Sequence, residues 1–408
     1  MKTTDKKTYR LQPQVVTGIA AFLMSAMVMA SCSSSADAPD NPDTPDAKGY
    51  SISFHASDTA SVTTRSTTRA TGLSELGYNE IVVYGYKTIN GTIQNVMPGY
   101  TLKYTANSAN SSTTNTTGWE YVGQGTDYLG NAQEIKYWDG NSTDYRFFAV
   151  LSKYKSAVKY DGNAISTSTN VTTTGSFTME FDNLEYMTHT KDGKYYKADG
   201  TTEVKESDIP MYGILWQGDP AEYYNKPVEL AFVKPYSLVR LVFERPDGSS
   251  TTVLGKEGDT THRITFAPKN GSSMAGDGKV DVSWGMTGSR ETATAIAGQT
   301  TLPTMTVDPL TITNQNERYQ AWPEYLMIPS SSEPVDFLCT AYVYSTNSSG
   351  QDVFDARTAV IPAAYMKWKP GYQYTYVFKI TNNNSLEFSH AIEVFTKWQA
   401  GYSDKTTW

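Results

Sequence analysis

Few side chains in this sequence have the type and spacing that catalysis needs. The chain of 408 residues has four histidines and two cysteines, and none forms a His-Glu-x-x-His pattern or a Cys/His pair with zinc spacing. No Gly-x-Ser-x-Gly elbow and no phosphate-binding Gly-x-x-x-x-Gly-Lys loop occurs. The sequence therefore predicts a protein that is not an enzyme and binds no metal or cofactor. A carboxylate pair for glycoside hydrolysis, whose members need not be close in sequence, stays open.

The remaining candidates favour structural roles. Residues 277–281 have a weak likeness to a calcium loop, but the spacing and the number of ligands are wrong. His55 and His390 lie in strand-like patterns and are expected to be partly buried polar residues, not ligands. Cys339 lies in an alternating apolar segment, which favours a buried small hydrophobic residue over a reactive thiol.

The other cysteine suggests acylation. Basic residues at the N-terminus precede an apolar stretch over 15–28, which is short for a transmembrane helix and typical of a signal peptide. It ends in Met-Ala-Ser-Cys, which resembles the bacterial lipobox, with Met29 where that pattern usually has Leu. We predict a signal peptide over 1–32, lipid on Cys32 and a disordered, Ser/Asp/Pro-rich tether over 33–49. The alternative is an ordinary secretory signal with an incidental cysteine.

Two arginines suggest proteolysis. Arg65 and Arg69 lie in a Ser/Thr-rich stretch between a short strand pattern at 51–56 and a stronger one at 80–86. An exposed loop of small polar residues is a preferred site of proteolytic cleavage. The stretch therefore predicts processing by a trypsin-like, arginine-specific protease.

The composition indicates an all-β protein. The chain has 29 tyrosines against 14 phenylalanines, and Thr, Ser, Gly and Asn are abundant. Its formal net charge is −8, and no long basic run follows the first few residues, so nucleic acid is excluded as a partner.

The strand patterns suggest two domains, over 50–226 and 227–408, of which residues 50–69 hold the first strand pattern and the loop with the two arginines. The last pattern should place Leu386, Phe388, His390, Ile392 and Val394 on one face. An Asp-Gly pair at 192–193 predicts a hairpin turn. Predicted strands cover 81–86, 119–122, 134–138, 145–151, 177–181, 211–215, 228–232, 237–243, 263–266, 280–284, 325–328, 337–344, 372–378 and 386–398.

The order of several aromatic motifs resembles the fimbrillin family of Bacteroidales surface lipoproteins, the subunits of protease-assembled pili. These motifs follow the lipobox and span the chain from Cys32 to Trp398. They are Thr-Arg-Ala-Thr at 68–71, Val-Tyr-Gly-Tyr at 83–86, Trp-x-Tyr at 119–121, Tyr-Trp at 137–138, Tyr-Arg-Phe-Phe-Ala at 145–149 and Trp-Lys-Pro-Gly at 368–371.

This resemblance implies two tandem β-sandwich domains of transthyretin-like, Greek-key topology in a structural or adhesive pilus subunit. A cut after Arg65 or Arg69 would release the lipid, the tether and the first strand from an outer-membrane precursor. The vacated groove would then accept a strand from another pilus subunit. The weakly apolar segment 399–408 indicates a tip or accessory subunit, unless residues 386–398 swing out as the donor.

A second function stays open. The chain has eight tryptophans, and exposed aromatic rings can stack on sugars. An outer-membrane-anchored, carbohydrate-binding lipoprotein is therefore the alternative, although most of these tryptophans lie in strand patterns where core packing is expected. With either function, the protein could bind a glycan or a protein on the surface of a host cell or of another bacterium.

Overall fold

The structure is a computed structural model, in which strands predominate. Helical structure in the described residues is confined to single turns, an α-helix at Pro220–Tyr223 and 3-10 helices at Leu73–Leu76, Glu206–Asp208 and Ala363–Tyr365. None of the helices in this part of the chain has the length and apolarity to cross a membrane. The described residues are 50–58, 72–105, 118–127, 130–153, 158–160, 163–164, 170–171, 174–182, 188–197, 199–213, 215–224, 226–245, 251–271, 274–275, 277–285, 288–295, 301–302, 304–314, 317–328, 334–381 and 383–395.

The strands are numbered in chain order. In the N-terminal half they are β1 (Phe54–Asp58), β2 (Glu80–Ile89), β3 (Thr92–Tyr104), β4 (Trp119–Glu120), β5 (Asp144–Leu151), β6 (Val158–Tyr160), β7 (Asn163–Ala164), β8 (Asn170–Val171), β9 (Thr174–Asp182), β10 (Thr188–His189), β11 (Tyr195–Tyr196), β12 (Glu203–Val204), β13 (Tyr212–Gly213) and β14 (Trp216–Gly218). In the C-terminal half they are β15 (Val228–Val233), β16 (Ser237–Glu244), β17 (Thr252–Leu254), β18 (Ile264–Pro268), β19 (Met274–Ala275), β20 (Asp277–Gly285), β21 (Gly288–Ala295), β22 (Thr301–Leu302), β23 (Met305–Val307), β24 (Leu310–Ile312), β25 (Arg318–Met327), β26 (Phe337–Thr346), β27 (Asp352–Ile361), β28 (Tyr372–Ile380) and β29 (Leu386–Phe395).

A nine-stranded sheet contains the N-terminal strand. Its order is β1-β15-β13-β5-β2-β3-β4, with β14 also on β5 and β8 on β3. Its pairs are antiparallel except for β1 and β15, which run parallel. Among the described strands, β1 pairs with β15 alone and is therefore an edge strand, whose partner follows about 170 residues later in the chain.

Four further sheets complete the described fold. A seven-stranded sheet has the order β12-β11-β10-β25-β16-β28-β29, and a six-stranded sheet has the order β23-β18-β26-β17-β24 with β27 on β26. A five-stranded sheet, β21-β20-β9-β6-β7, and the pair β19-β22 are the others. This architecture confirms the predicted all-β fold, with sheets in sandwich-like arrangements.

Large apolar side chains form two separate cores. The first is built from the N-terminal strands and β15, and it includes Phe54, Trp119 and Phe147. The second, which includes Phe266 and Tyr376, is built from strands of the seven- and six-stranded sheets. Alternate side chains along each strand point into these cores. In the central strands β2, β5 and β16 the side chains between them are buried as well, so these strands are covered on both faces.

Four pairings join strands from the two halves of the chain. Strands β1 and β13 both pair with β15. The short strand β10 pairs with β25, at Thr188 opposite Tyr325, and β9 pairs with β20 along nine residue pairs. The division into domains over 50–226 and 227–408 stays a prediction.

Several predicted elements differ in the structure. Residues 134–138 do not form a strand; Tyr137 makes an isolated bridge to Ser51. Among the longer strands, β3, β21 and β27 are not predicted from the sequence. In β3 a Pro-Gly pair suggests a turn, but the register of β2 and β3 shifts there, so a bulge accommodates both residues.

The last strand also differs from its prediction. Between Phe388 and His390 the register of β28 and β29 shifts, because two residues of β29 oppose one step of β28. Leu386 and Phe388 pack on the second core and Ala391 follows them, whereas Val394 is 39% exposed. The predicted single face from Leu386 to Val394 is therefore wrong beyond the bulge.

Two local predictions are confirmed. The pair at 192–193 forms the turn between β10 and β11, where Gly193 has φ of 83°. Cys339 is fully buried in the second core, and burial raises the pKa of its thiol.

Candidate functional site

The N-terminal segment, residues 50–58, has the strict alternation of a half-buried strand. Ile52, Phe54 and Ala56 are at most 1% exposed and belong to the first core. The residues between them, Ser53 and His55, are partly exposed. Burial of the Ile and Phe side chains contributes about 1.5–3 kcal/mol each, before the entropy of ordering the segment is subtracted. The segment is thus an integral part of the core in the intact chain.

The edge of β15 holds one side of this segment. The pairs run in register from Phe54 opposite Val228 to Asp58 opposite Phe232. The amide of Val228 donates to the carbonyl of Ser53 at 2.8 Å. These contacts are backbone contacts, so any strand of suitable alternation could make them.

Residues 136–138 hold the other side. The amide of Ile52 donates to the carbonyl of Lys136 at 2.8 Å, and the amide of Trp138 donates to the carbonyl of Tyr50 at 3.0 Å. The start of the segment therefore lies in a slot with backbone partners on both sides. We call the edge of β15 together with residues 136–138 the strand slot. Although residues 134–138 are not the regular strand that the sequence predicts, they supply half of this slot.

Tyr121 hydrogen-bonds both the N-terminal segment and the strand slot. Its hydroxyl donates to the carbonyl of Ile52 at 3.0 Å and accepts from the amide of Lys136 at 3.1 Å. Burial raises the pKa of Tyr121, which keeps the phenol protonated as a donor. In the sequence, the Trp-x-Tyr motif at 119–121 indicates core packing alone. A tyrosine in place of phenylalanine in such a motif is the signal for this second role.

The Val-Tyr-Gly-Tyr motif at 83–86 leaves space for the Phe147 ring, against which Phe54 packs. The Phe54 ring meets the Phe147 ring edge-on, with centroids 5.1 Å apart. A Cβ atom at Gly85 would lie 2.7 Å from the Phe147 ring, so only glycine leaves that ring in place. The motif that carried the family resemblance thus places Phe147 under the N-terminal strand.

One exposed ion pair lies on the outer face of this strand. Nδ1 of His55 lies 2.6 Å from the carboxylate of Glu229 on β15, and the two side chains are 38% and 62% exposed. At this exposure the pair contributes at most about 1 kcal/mol. Among the described residues, no cluster of three or more His, Cys, Asp or Glu side chains could hold a metal ion. The contacts that hold this segment are backbone hydrogen bonds and apolar packing.

The described residues on either side of the predicted cleavage loop lie close together. Ser57 and Gly72, which flank the 13 residues between Asp58 and Gly72, form an antiparallel bridge. Arg65 and Arg69 belong to those 13 residues and lie outside the described part of the chain, as does Cys32. A cut between residues 59 and 71 would separate β1 covalently from every other described strand.

Comparisons with known proteins find likeness in fold to solved structures of low sequence identity. No family model matches the sequence, and no curated protein matches it. A fimbrial protein from Bacteroides vulgatus ATCC 8482 has a similar structure, with 11% identity, coverage of 85% of this chain and 100% of that chain, and a TM-score of 0.49.

Two further solved structures are more distantly similar. The fimbrial anchor protein Mfa2 from Porphyromonas gingivalis has 8% identity and a TM-score of 0.27, with coverage of 86% of this chain and 99% of that chain. A Bacteroides thetaiotaomicron VPI-5482 protein, provisionally assigned to polysaccharide binding, has 11% identity and a TM-score of 0.31, with coverage of 87% and 98%. The chain is thus similar in fold to fimbrial proteins of Bacteroidales, as the order of its motifs predicts.

Proposed function

We propose that this protein is a structural or adhesive subunit of a cell-surface pilus. It is exported as a lipoprotein acylated on Cys32, and an arginine-specific protease cuts it after Arg65 or Arg69. The cut allows β1 to leave the strand slot. A strand from another pilus subunit then takes its place and joins the two subunits.

The position of β1 is the observation that carries this proposal. It is an edge strand, and the segment 50–58 that contains it has three buried side chains. Its covalent link to the other described strands is the chain between Asp58 and Gly72. Loss of β1 would uncover the backbone edge of β15 and the pocket filled by Phe54. An exposed strand edge beside an apolar groove is a template for pairing with another chain.

Strand addition at this slot would give both affinity and register. Backbone hydrogen bonds to β15 are indifferent to sequence, whereas the pockets for Ile52, Phe54 and Ala56 accept side chains only at alternate positions. A shift of one residue would turn the apolar side chains outward, so the donor strand is held in a single register.

A strand-exchange experiment tests this proposal. Residues 61–70 are replaced by the recognition sequence of a site-specific protease, and the folded protein is cut. A fluorescein-labelled peptide of residues 50–58 is then added in excess. We expect the cut protein to take up the peptide, with a rise in fluorescence anisotropy, because the resident strand is held only by non-covalent contacts.

Two controls define the result. The uncut protein should not take up the peptide, since the tethered strand competes at high effective concentration. A peptide with Phe54→Asp should not bind, whereas one with His55→Ala should bind within about twofold because that side chain is exposed. Failure of the cut protein to take up the peptide, or equal binding of the Phe54→Asp peptide, would refute the proposal.

A further inference from the structure

A large cavity lies away from the strand slot. Its volume is about 900 Å³, and its walls come from the β10–β11 hairpin on one side and from β25 and residues 306–310 on the other. Ligand pockets in proteins typically have volumes of roughly 300–1,000 Å³. The cavity is therefore large enough for one or two sugar rings.

Aromatic side chains on two elements line this cavity. Tyr319 and Trp322 come from β25, and Tyr196 comes from β11 across from them. All three are partly buried. Trp and Tyr rings give large apolar faces with a polar edge, which suits a ligand that has both C–H faces and hydroxyl groups.

The same walls contain polar atoms that lack partners. Gln320 is 94% buried; its Nε2 donates to Glu324 at 2.8 Å, but its Oε1 finds no hydrogen-bond partner among the described residues. The indole Nε1 of Trp322 is likewise buried and without a partner in that part of the chain. Both atoms are closed to solvent in this structure, although their residues line the cavity. Rotation of either side chain would bring a donor or an acceptor to the cavity, where a hydroxyl group suits it because a hydroxyl both donates and accepts.

The charges of the lining are nearly balanced. Arg263 donates to Asp308 at the rim, and the other charged residues there are Lys191, Lys197 and Asp192. This near balance gives no strong field to attract an acidic or a basic ligand.

We propose that this cavity is a binding site for neutral pyranose sugars of a surface glycan. The Trp322 ring stacks on the C–H face of a sugar, and rotation of the Trp322 and Gln320 side chains on binding brings Nε1 and Oε1 to its hydroxyl groups. The role of this binding in adhesion rests on the proposed function above, whereas the binding itself needs neither cleavage nor assembly.

Glycan binding by the intact, uncut protein tests this site separately from strand exchange. The probe is an array of neutral hexose and N-acetylhexosamine oligosaccharides, with sialylated and sulfated counterparts. We expect binding to a subset of the neutral glycans. An absence of binding to every neutral glycan, or binding to acidic glycans alone, overturns the proposal.

Variants locate the site. Trp322→Ala and Tyr196→Ala should each weaken binding of the best neutral glycan by about tenfold, because each removes a stacking surface. Trp322→Phe retains an aromatic ring but lacks the indole N–H donor. This smaller change should preserve the fold, and the variant should bind the glycan more weakly than the parent protein. Trp216→Phe, a matched change at a partly buried tryptophan in the first core, should bind within about twofold. Unchanged binding by folded Trp322→Phe and Tyr196→Ala would place the sugar elsewhere and refute the assignment.

Discussion

The ring of Phe54 stands edge-on against the ring of Phe147, with an angle of 86° between their planes. The first ring belongs to the N-terminal strand and the second to the centre of the sheet that this strand completes. Edge-to-face contacts of this kind add about 0.5–1.5 kcal/mol beyond the area that they bury. This contact makes Phe54 the anchor of the strand.

Phe54→Ala should lower the free energy of unfolding of the intact chain by about 3–5 kcal/mol, because it opens a cavity in a fully buried site. His55→Ala, on the outward face of the same strand, should cost less than about 1 kcal/mol. Denaturant unfolding, followed by tyrosine and tryptophan fluorescence, measures both values. Equal losses for the two variants would mean that the strand is not anchored through its inner face.

The bulge in β29 gives a second test. Phe388 packs on Tyr365 and Phe378, with ring centroids 5.2 and 6.1 Å away, whereas Val394 is 39% exposed beyond the bulge. Phe388→Ala should therefore cost about 2–4 kcal/mol of unfolding free energy, and Val394→Ala less than about 1 kcal/mol. A regular strand without the bulge would bury both side chains. Losses above about 2 kcal/mol for both variants would thus support the uniform face and contradict the bulge.

A buried ionic cluster predicts the acid sensitivity of the fold. Glu324 on β25 is 1% exposed; its carboxylate accepts from Arg240 and lies 2.8 Å from Nδ1 of His189. Burial alone would raise the pKa of Glu324, but His189 and Arg240 outweigh it, and the pKa lies below its ordinary value of 4.5. The folded state therefore binds fewer protons than the unfolded state in acid. The stability from this group is complete above pH 4.5 and is lost as the pH falls through the folded-state pKa.

Glu324→Gln removes this charge and tests the prediction. It should cost about 3–5 kcal/mol at neutral pH, because Arg240 stays buried without its counterion. The unfolding free energy of the variant should also fall less steeply below pH 4.5 than that of the parent protein. Glu393→Gln removes a carboxylate from an exposed pair with Lys369 and is the control. Parallel pH profiles for parent and Glu324→Gln would contradict the role of the cluster.

The buried thiol makes a simple kinetic prediction. Cys339 is fully buried, and burial raises the pKa of its thiol, so little thiolate is present at pH 8. Iodoacetamide should label Cys339 in denaturant and leave it unlabelled in the folded protein over the same time. Rapid labelling of the folded protein would show that this part of the second core opens readily.

Patterns within single strands could be predicted well from the sequence. Alternation at 52–56 and the apolar runs of β5 and β16 give the strands almost residue by residue, because side-chain period and burial are local properties. The same reasoning predicts that the segment before Arg65 and Arg69 is a strand with one apolar face. It gives no information on the partner of that strand.

Long-range features could not be predicted. The parallel pairing of β1 with β15 joins residues 174 positions apart, such as His55 and Glu229, and no local pattern encodes it. The bulges in β3 and β29 depend on the neighbouring strand, so a Pro-Gly pair suggests a turn where the structure continues a strand. Trp322 lies before the predicted strand at 325–328, yet β25 begins at Arg318 and places Trp322 in the wall of the cavity.

The N-terminal residue of the protein in native surface fibres tests the central claim most directly. Fibres are sheared from the cells and purified, and the mature N-terminus of this chain is determined by mass spectrometry. The account predicts a start at Ser66 or Ala70, with β1 absent from the mature chain. A lipid-modified Cys32 on every molecule would contradict removal of the strand and would favour an anchored, carbohydrate-binding lipoprotein.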